Sequence, residues 1–279
     1  MTITNIDLTS KTAIITGSGK GIGKAIALTL AKAGANIAVA DLLIEEAKKT
    51  VQEIENASGK AIAIEVDVAK EEQVKNTVLQ TMKVFRDIDI LVNNAGMSDG
   101  MRPVAFVPDM KFMGWELSGD AWNKPITLDW WHKVLDTNFT SVFLFSQAVA
   151  PYMLKKKKGK IINISSTSAD LGTPYHSIYC ASKAAVSSFT RCLASEWAPY
   201  NICVNAIGPG ATNTERTKTY IINPECEKAV LASIPKGRIA EPQEIAELVL
   251  FLSSESSDFI TGQTIFIDGG QIGHGAGAI

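Results

Sequence analysis

The amino-acid sequence predicts an α/β fold in which a doubly wound, seven-stranded parallel sheet carries helices on both faces. Short apolar runs alternate with longer stretches of helical periodicity along most of the 279 residues. A glycine-rich turn follows the first of these runs directly. With 46% hydrophobic residues, a chain of this length can bury one large core. We therefore expect a single domain over residues 1–279.

The predicted strands are short runs in which Ile, Val and Ala fill most positions. Because the apolar residues do not simply alternate with polar ones, both faces of each strand are expected to be covered, as in a parallel sheet. The expected strands are Thr12–Thr16, Asn36–Asp41, Ala61–Val66, Ile88–Val92, Lys160–Ser165, Ile202–Ile207 and Thr264–Ile267.

The predicted helices lie between these strands and show the period of an amphipathic or buried helix. In a sheet of this kind a ligand binds outside the carboxyl ends of the strands, where the strand order reverses. The residues that follow each strand are therefore the candidates for function. The expected helices are Gly21–Ala33, Ile44–Asn56, Glu71–Phe85, Asp129–Leu154, Tyr179–Trp197 and Pro242–Leu252.

Composition argues against several classes of protein. A net charge of −2, with one basic run at Lys155–Lys158, gives no basic face for nucleic acid. No segment approaches the roughly 20 apolar residues of a membrane span, and the first residues do not resemble a signal peptide. We expect no membrane association and a cytoplasmic location. The cysteines and histidines show no metal-ligand spacing, so we expect no metal and no disulfide framework; they are Cys180, Cys192, Cys203, Cys226, His132, His176 and His274.

The turn after the first strand is Thr16-Gly-Ser-Gly-Lys-Gly-Ile-Gly23, and it opens a helix. Glycines allow the backbone N–H groups to approach a pyrophosphate, and the start of the helix adds partial positive charge. This position between a strand and a helix predicts a dinucleotide site of the Rossmann type. Its candidate residues are Gly17, Lys20, Gly21, Ile22 and Gly23.

Asp41 ends the second predicted strand, eighteen residues after Gly23. A carboxylate there can accept hydrogen bonds from the adenosine ribose and would repel a 2′-phosphate. Lys20 could attract that phosphate, but Leu42 and Leu43 supply no second basic partner. We therefore expect NAD rather than NADP. A helix N-cap is the structural alternative for Asp41.

Tyr179 and Lys183 are one helical turn apart in Tyr-Cys-Ala-Ser-Lys, so they share a helix face. An ammonium group beside a phenol favours the phenolate and lowers the pKa of the phenol from about 10. Ser166, thirteen residues upstream at the end of a predicted strand, can hydrogen-bond a substrate oxygen. This set suits proton exchange between an alcohol and a carbonyl compound.

Several motifs together, in this order, resemble the classical short-chain dehydrogenase/reductase family over nearly the whole chain. They are Thr16-Gly-x-x-x-Gly-Ile-Gly23, Asp67-Val68, Asn93-Asn-Ala-Gly96, Asn138, Ser166, Tyr179-x-x-x-Lys183, Pro209-Gly210 and Asp268-Gly-Gly270.

The resemblance implies a role for each matching position. Ser166 would orient the substrate oxygen, Tyr179 would be the acid/base, and Lys183 would assist Tyr179 and bind the nicotinamide ribose. Asn138 would hold a water in a proton path, or would only relieve a helix kink. The spacing to Tyr179 selects Ser166 over Ser165, which we interpret as structural. The implied cofactor contacts beyond the glycine turn and Asp41 are Asp67, Val68, Asn94, Gly210, Thr212 and Thr214.

The segment 97–131 holds four of the seven methionines and four of the five tryptophans, and it is longer than the family usually has. It leaves the carboxyl end of the fourth strand, beside the expected active site. We refer to residues 97–128 as the excursion. Its apolar residues either form a pocket wall or lid, or pack a structural or subunit-interface element. They are Met97, Met101, Met110, Phe112, Met113, Trp115 and Trp122.

The predicted function is an NAD-dependent oxidoreductase that interconverts a secondary alcohol and a ketone. Polar residues between Ser166 and Tyr179 (Asp170, Tyr175 and His176) favour a hydroxylated substrate such as a sugar or polyol. The candidate substrate contacts are Ser166, His176 and Met97. The alternatives are a 3-oxoacyl thioester (acyl-carrier-protein) reductase and, in a different class, a catalytically inactive dinucleotide-binding regulator.

The resemblance also implies a homotetramer, formed through the two long helices after the fourth and fifth strands and through the C-terminal strand region. The apolar residues that would serve such helix pairing would equally serve a monomer's core. They are Phe139, Val142, Phe143, Phe145 and Phe189.

Overall fold

The structure is a computed structural model that describes residues 6–106, 111–112, 115–116, 124–218, 221 and 224–273. Nine β-strands are assigned within these residues. They are β1 (Thr12–Thr16), β2 (Asn36–Asp41), β3 (Lys60–Glu65), β4 (Ile90–Asn93), β5 (Lys111–Phe112), β6 (Trp115–Glu116), β7 (Gly159–Ile164), β8 (Ile202–Pro209) and β9 (Thr264–Ile267).

Seven of these strands form one parallel sheet in the order β3-β2-β1-β4-β7-β8-β9, which confirms the predicted fold class. The short strands β5 and β6 form a separate antiparallel hairpin. The order reverses between β1 and β4, so the crevice expected for a ligand lies where these two strands end. The pairing runs from Thr12↔Asn36 to Thr16↔Ala40 and from Ile90↔Lys160 to Asn93↔Asn163, so the strand ends meet at one edge.

Helices cover the sheet on both sides. They are α1 (Gly21–Lys32), α2 (Ile44–Asn56), α3 (Glu71–Phe85), α4 (Leu128–Leu135), α5 (Ser141–Lys156), α6 (Ser177–Trp197), α7 (Glu215–Lys218), α8 (Pro224–Ala232) and α9 (Pro242–Ser253). Buried residues of α1, α2 and α9 form one core with the sheet, and buried residues of α3, α5 and α6 form a second. Burying both faces in this way explains why the central strands are apolar at nearly every position.

The prediction of one α-helix over Asp129–Leu154 is wrong in one respect. A π-helical turn, Asp136–Thr140, separates α4 from α5. Its central residue, Asn138, is completely buried and bonds to the backbone of Met97 rather than facing solvent. A turn of this kind often marks a functional site. The strand predicted at Ile88–Val92 begins at Ile90, and the boundaries of the other predicted elements agree with the structure to within two residues.

The excursion leaves the sheet after β4. Its two ends meet, because the Ile126 N–H donates a hydrogen bond of 3.0 Å to the Pro103 carbonyl. The Trp130 indole N–H donates to the Asp99 carbonyl at 2.8 Å, and the Arg102 guanidinium lies 4.5 Å from the centre of the same ring. These contacts attach the first part of the excursion to α4. Met110, Met113 and Trp122 lie outside the described residues.

Within the described ranges, no helix is long and apolar enough to cross a membrane.

Candidate active site

A cavity of about 520 Å³ opens at the carboxyl edge of the sheet, where β1 and β4 diverge. Its wall includes most of the residues that sequence analysis selected. They are Gly17, Lys20, Gly21, Ile22, Gly23, Asp41, Asn94, Ser166, His176, Tyr179, Lys183, Gly210, Thr212 and Thr214. The topology therefore brings the predicted dinucleotide turn and the predicted proton-transfer residues to one site.

The glycine turn leaves no room for side chains. Gly17 and Gly21 adopt φ values of +62° and +56°, in the left-handed region that favours glycine. A Cβ atom on Gly23 would lie 2.2 Å from the Gly17 carbonyl oxygen and 2.5 Å from Asn94 Nδ2. The result is a bare backbone turn at the N-terminus of α1, which fits the pyrophosphate of a dinucleotide.

Thr16 and Asn94 connect this turn to the end of β4. The Thr16 hydroxyl oxygen accepts hydrogen bonds from the N–H groups of Asn94 and Ala95, both at 3.0 Å. Asn94 Nδ2 donates to the carbonyls of Thr16 and Gly17, both at 2.9 Å. Asn94 lines the cavity as predicted, and its amide also fixes the glycine turn against the fourth strand.

Asp41 holds the turn from the other side. One carboxylate oxygen accepts the Gly19 N–H at 2.8 Å and the other accepts the Leu43 N–H at 2.9 Å. A Cβ on Gly19 would lie 2.9 Å from the Glu46 Cβ and 3.1 Å from that carboxylate, so this glycine, which sequence analysis passed over, also has little room for a side chain. Lys20 Nζ lies 3.6 Å from a Glu46 carboxylate oxygen. The nearest charge to Lys20 is therefore an acid on α2.

The segment after β8 forms the opposite wall. Thr214 is next to the glycine turn, because a Cβ on Gly21 would be 3.5 Å from its methyl group. Thr212 is buried and its backbone bridges to Ala240, while its carbonyl accepts a short hydrogen bond from the Thr217 hydroxyl. Both threonines face the cavity as the resemblance implied.

Three predicted contact residues lie outside the cavity wall formed by the described residues: Asp67, Val68 and Met97. The Asp67 carboxylate accepts the Ala69 N–H at 3.0 Å, and the backbone N–H of Asp67 donates to the Gln73 side chain. Asp67 therefore shapes the turn after β3. Met97 bonds to Asn138 through its backbone, and it is Met101, four residues later, that reaches the wall.

Lys183 is almost completely buried next to Tyr179. Its ammonium nitrogen lies 5.8 Å from the centre of the Tyr179 ring and donates to the Ile164 carbonyl at 2.8 Å. Burial lowers the pKa of Lys183 to about 7, and the positive charge of Arg216 contributes to the same shift. Arg216 itself donates to the Gly96 carbonyl at the mouth of the cavity. Sequence analysis did not identify Arg216, which lies on α7.

The two neighbouring serines have different surroundings. The Ser165 hydroxyl donates to the Lys183 carbonyl at 3.0 Å and contacts the Ser187 hydroxyl at 2.8 Å, so it joins β7 to α6. Ser166 faces the cavity, and its hydroxyl oxygen accepts the Ser168 N–H at 3.1 Å. This geometry agrees with a structural Ser165 and leaves Ser166 placed to meet a substrate.

Asn138 connects the π-helical turn to the helix that carries Tyr179. Its side chain accepts the Met97 N–H at 2.7 Å and donates to the Met97 carbonyl at 2.9 Å. It also donates to the Ser182 hydroxyl at 3.1 Å, and Ser182 in turn donates to the Tyr179 carbonyl at 2.7 Å. A Cβ on Gly96 would be 3.3 Å from Asn138 Oδ1 and 3.4 Å from Lys183 Nζ. The proton path through Asn138 stays a prediction.

Asp99 is a buried carboxylate at this site that sequence analysis did not select. Its Oδ1 lies 2.8 Å from His176 Nδ1, and its Oδ2 accepts the Tyr179 N–H at 3.2 Å. The His176 ring packs edge-on against the Tyr179 ring, with 6.0 Å between their centres. No signal in the sequence pairs Asp99 with residues about eighty positions away. In the described part of the chain, no three His, Cys, Asp or Glu residues form a group suited to a metal ion.

The fold and the cavity define a dinucleotide-dependent oxidoreductase. A family model described as enoyl-(acyl carrier protein) reductase matches residues 17–271. The chain is 36% identical to a 3-oxoacyl-[acyl-carrier-protein] reductase of Thermotoga maritima, over 95% of this chain and 99% of the relative. It is also 36% identical to an NAD-dependent glycerol dehydrogenase of Listeria innocua, over 95% of each chain.

A solved structure shows the same similarity in three dimensions. It is a 7α-hydroxysteroid dehydrogenase in complex with NADH and 7-oxoglycochenodeoxycholic acid, with a TM-score of 0.86, 35% identity and 97% of each chain covered. The chain belongs to the short-chain dehydrogenase/reductase family and is an oxidoreductase that acts on CH–OH donors.

Proposed function

We propose that this protein is an NAD-dependent dehydrogenase that interconverts a secondary alcohol and a ketone on a hydroxylated small molecule such as a sugar or polyol. The observation that carries the proposal is that Ser166, Tyr179 and Lys183 line the same cavity as the glycine turn. An inactive dinucleotide-binding regulator would not need these side chains together at that position. The retained set therefore favours an enzyme.

In alcohol oxidation, the Ser166 hydroxyl holds the substrate oxygen and the Tyr179 phenolate accepts its proton. NAD bound along the glycine turn would supply the hydride acceptor for the carbinol carbon. Lys183 in its charged form favours the phenolate. Because burial disfavours that charge, hydrogen-bond acceptors such as ribose hydroxyls beside Lys183 would help to retain it. In ketone reduction Tyr179 returns the proton.

Support for NAD over NADP comes from Asp41. Each of its carboxylate oxygens accepts one backbone hydrogen bond and keeps capacity for another, which suits ribose hydroxyls. A 2′-phosphate at this position would meet the same negative charge. The ammonium of Lys20, the one basic residue of the turn, lies 3.6 Å from a Glu46 carboxylate oxygen, which offsets part of its positive charge. Leu42 and Leu43, which follow Asp41, are exposed and uncharged.

The hydroxylated substrate is supported by polar side chains among the residues that line the cavity, which include Ser168, Thr173 and His176 beside apolar residues such as Leu171 and Ile221. The glycerol dehydrogenase relative agrees with such a substrate. A 3-oxoacyl thioester is the second candidate, favoured by a relative of equal identity that is named for that reaction. The polar side chains in the cavity support the sugar or polyol candidate.

The test is a substrate panel with both cofactors. We expect NAD reduction with sugar alcohols or glycerol, weaker activity with NADP, and little reduction of acetoacetyl-coenzyme A. Tyr179→Phe should keep NAD binding and lose at least about 10²-fold in kcat, because it removes the acid/base group. Normal kcat in Tyr179→Phe would contradict the assigned base. Preferential NADPH-dependent reduction of the thioester would establish the second candidate instead.

We also propose that the protein is a cytoplasmic homotetramer and that the excursion forms part of the substrate pocket. Met101 supports the second point, because it is buried in the cavity wall while its neighbours bond to α4. Two exposed aromatic residues support subunit contacts: Phe143 on α5 and Phe259 just before β9. The Phe143 ring packs against Phe189 of α6, at 6.4 Å between centres.

A further inference from the structure

Asp99 connects the start of the excursion to the start of α6, two segments that line the cavity. Its side chain is fully buried, and its carboxylate contacts Met101 of the excursion, His176 of the loop before α6, and Tyr179 of α6 itself. The corresponding distances are 3.3 Å to the Met101 N–H, 2.8 Å to His176 Nδ1 and 3.2 Å to the Tyr179 N–H. All three partners line the cavity.

Burial of a carboxylate is unfavourable unless hydrogen bonds and positive charge compensate it. Both are present here. Tyr179 is the third residue of α6, and N–H groups in the first turn of a helix have no partner within the helix. The helix start also carries partial positive charge. The N-cap residue, His176, makes no side-chain capping bond, so the excursion supplies the acceptor through Asp99.

We propose that Asp99 is a positioning residue for the reaction: it fixes the backbone of Tyr179 and the imidazole of His176 together. The inference rests on the proposed acid/base role of Tyr179. Since Asp99 bonds directly to the Tyr179 backbone, its position and that of the phenol are coupled. Its Oδ1 also lies 2.8 Å from Nδ1 of the His176 ring, which packs edge-on against Tyr179. The excursion thereby shapes proton transfer as well as the pocket.

The decisive variant is Asp99→Asn, which keeps the size of the side chain and one acceptor oxygen but replaces the other oxygen by a donor. An amide nitrogen facing either N–H group would repel it, so the first turn of α6 shifts. A displacement of about 1 Å near the reacting atoms costs up to about 10²-fold in rate. We expect kcat to fall by about tenfold or more, with the dissociation constant for NAD unchanged within about twofold.

Two further variants separate positioning from general stability. Asp129→Asn is the matched control, because Asp129 is an exposed carboxylate in the first turn of α4; its kcat should equal that of wild type. Trp130→Phe removes the indole bond to the Asp99 carbonyl and leaves the carboxylate intact. Like Asp99→Asn, this variant should lower kcat, but only by a few-fold.

A double-mutant cycle between Asp99→Asn and His176→Asn tests the coupling. If Asp99 acts partly through His176, the loss of kcat in the double variant, expressed as a free energy, will be smaller than the sum of the losses in the two single variants. Wild-type kcat in a folded, NAD-binding Asp99→Asn protein would overturn the proposal. If Asp99→Asn fails to fold, an unchanged kcat in Trp130→Phe would overturn it. If the Asp99 proposal fails in either way while Tyr179→Phe is inactive, the proposed function stands and only the role of Asp99 is rejected.

Discussion

At the scale of single residues, the environment of Lys183 has a consequence for the ligand-free protein. The residue is 4% exposed, and its ammonium group has the Ile164 carbonyl as an acceptor. Burial and, to a lesser extent, Arg216 lower its pKa from 10.5 to about 7. The folded state therefore releases a proton that the unfolded chain still binds at moderately alkaline pH. The burial of this residue beside Tyr179 therefore lowers the free energy of unfolding at neutral pH and brings the pKa of its ammonium group to about 7.

This difference predicts how stability depends on pH. Between about pH 7 and pH 10.5 the unfolded state binds more protons at this residue, so its destabilising effect decreases as the pH rises. We expect Lys183→Met to be more stable than wild type at pH 7.5, and the gap to shrink by up to about 1.4 kcal/mol per pH unit towards pH 9.5. Urea unfolding without cofactor at both pH values measures it.

The control is Lys160→Met. Lys160 is also buried, but its ammonium lies 2.7 Å from Asp258 and 3.2 Å from the Ser257 hydroxyl. Removing a partnered ammonium should destabilise the protein rather than stabilise it. A stability gap for Lys183→Met that is the same at pH 7.5 and pH 9.5 would contradict the lowered pKa.

Single residues also show what the sequence could reveal. Tyr179, Lys183 and the glycines of the turn could be predicted because each motif is local, and its spacing alone places the side chains on one helix face or one turn. Asp99 could not be predicted in this way. Its role arises only when the excursion, the loop at His176 and the start of α6 meet in space. Gly19 was passed over because its constraint comes from Glu46, Ala47 and Asp41, which follow it by twenty-two residues or more.

At the scale of elements, the π-helical turn between α4 and α5 is the main departure from the predicted helices. Periodicity could not show it, because the apolar pattern continues through the turn. What sets it apart is Asn138, whose amide bonds to both backbone groups of Met97 and to Ser182. The turn thus joins the start of the excursion to α6 through one buried side chain.

We expect Asn138→Ala to destabilise the protein by about 1–3 kcal/mol, because it leaves the partly buried N–H and carbonyl of Met97 without these partners. Thermal or urea unfolding measures the loss. Ser146→Ala on α5 is the matched control: Ser146 is buried, and its hydroxyl has no partner among the described residues. That variant should be neutral within about 0.5 kcal/mol. Equal stability of the two variants would show that the Asn138 bonds contribute little.

At the scale of the whole molecule, the regular alternation of strands and helices made the parallel sheet predictable, and the order of motifs identified its ligand-binding edge. The amino-acid composition revealed the excursion, but it did not reveal the hydrogen bonds that attach the excursion to α4 and close its ends. The bonds from Trp130 to Asp99 and from Ile126 to Pro103 join residues whose pairing no periodic pattern encodes. The sequence also could not separate core from surface among the apolar residues of α5 and α6. Phe145 is fully buried, while Phe143 is 41% exposed.

The exposed Phe143 gives a test of assembly. If α5 and α6 pair subunits, Phe143→Asp places an unpaired charge in an apolar interface and should reduce the mass of the assembly, because burying such a charge is unfavourable. Light scattering after size-exclusion chromatography measures it. Leu79→Asp on α3 is the control, since Leu79 is 59% exposed outside the proposed interfaces. A wild-type mass near the 29.9 kDa of one chain would contradict the tetramer.

The contact between Pro103 and Ile126 has an evolutionary consequence. Because the Ile126 N–H donates to the Pro103 carbonyl, the chain returns close to where it left, and we refer to residues 104–125 as the branch. Natural variation, or a designed library, can lengthen, shorten or exchange this branch while the backbone on either side stays in register. Asp99 and Met97 lie before the branch point and bond to Tyr179 and Asn138. A change in the length of this branch therefore leaves in place the hydrogen bonds that join the start of the excursion to Tyr179 and Asn138.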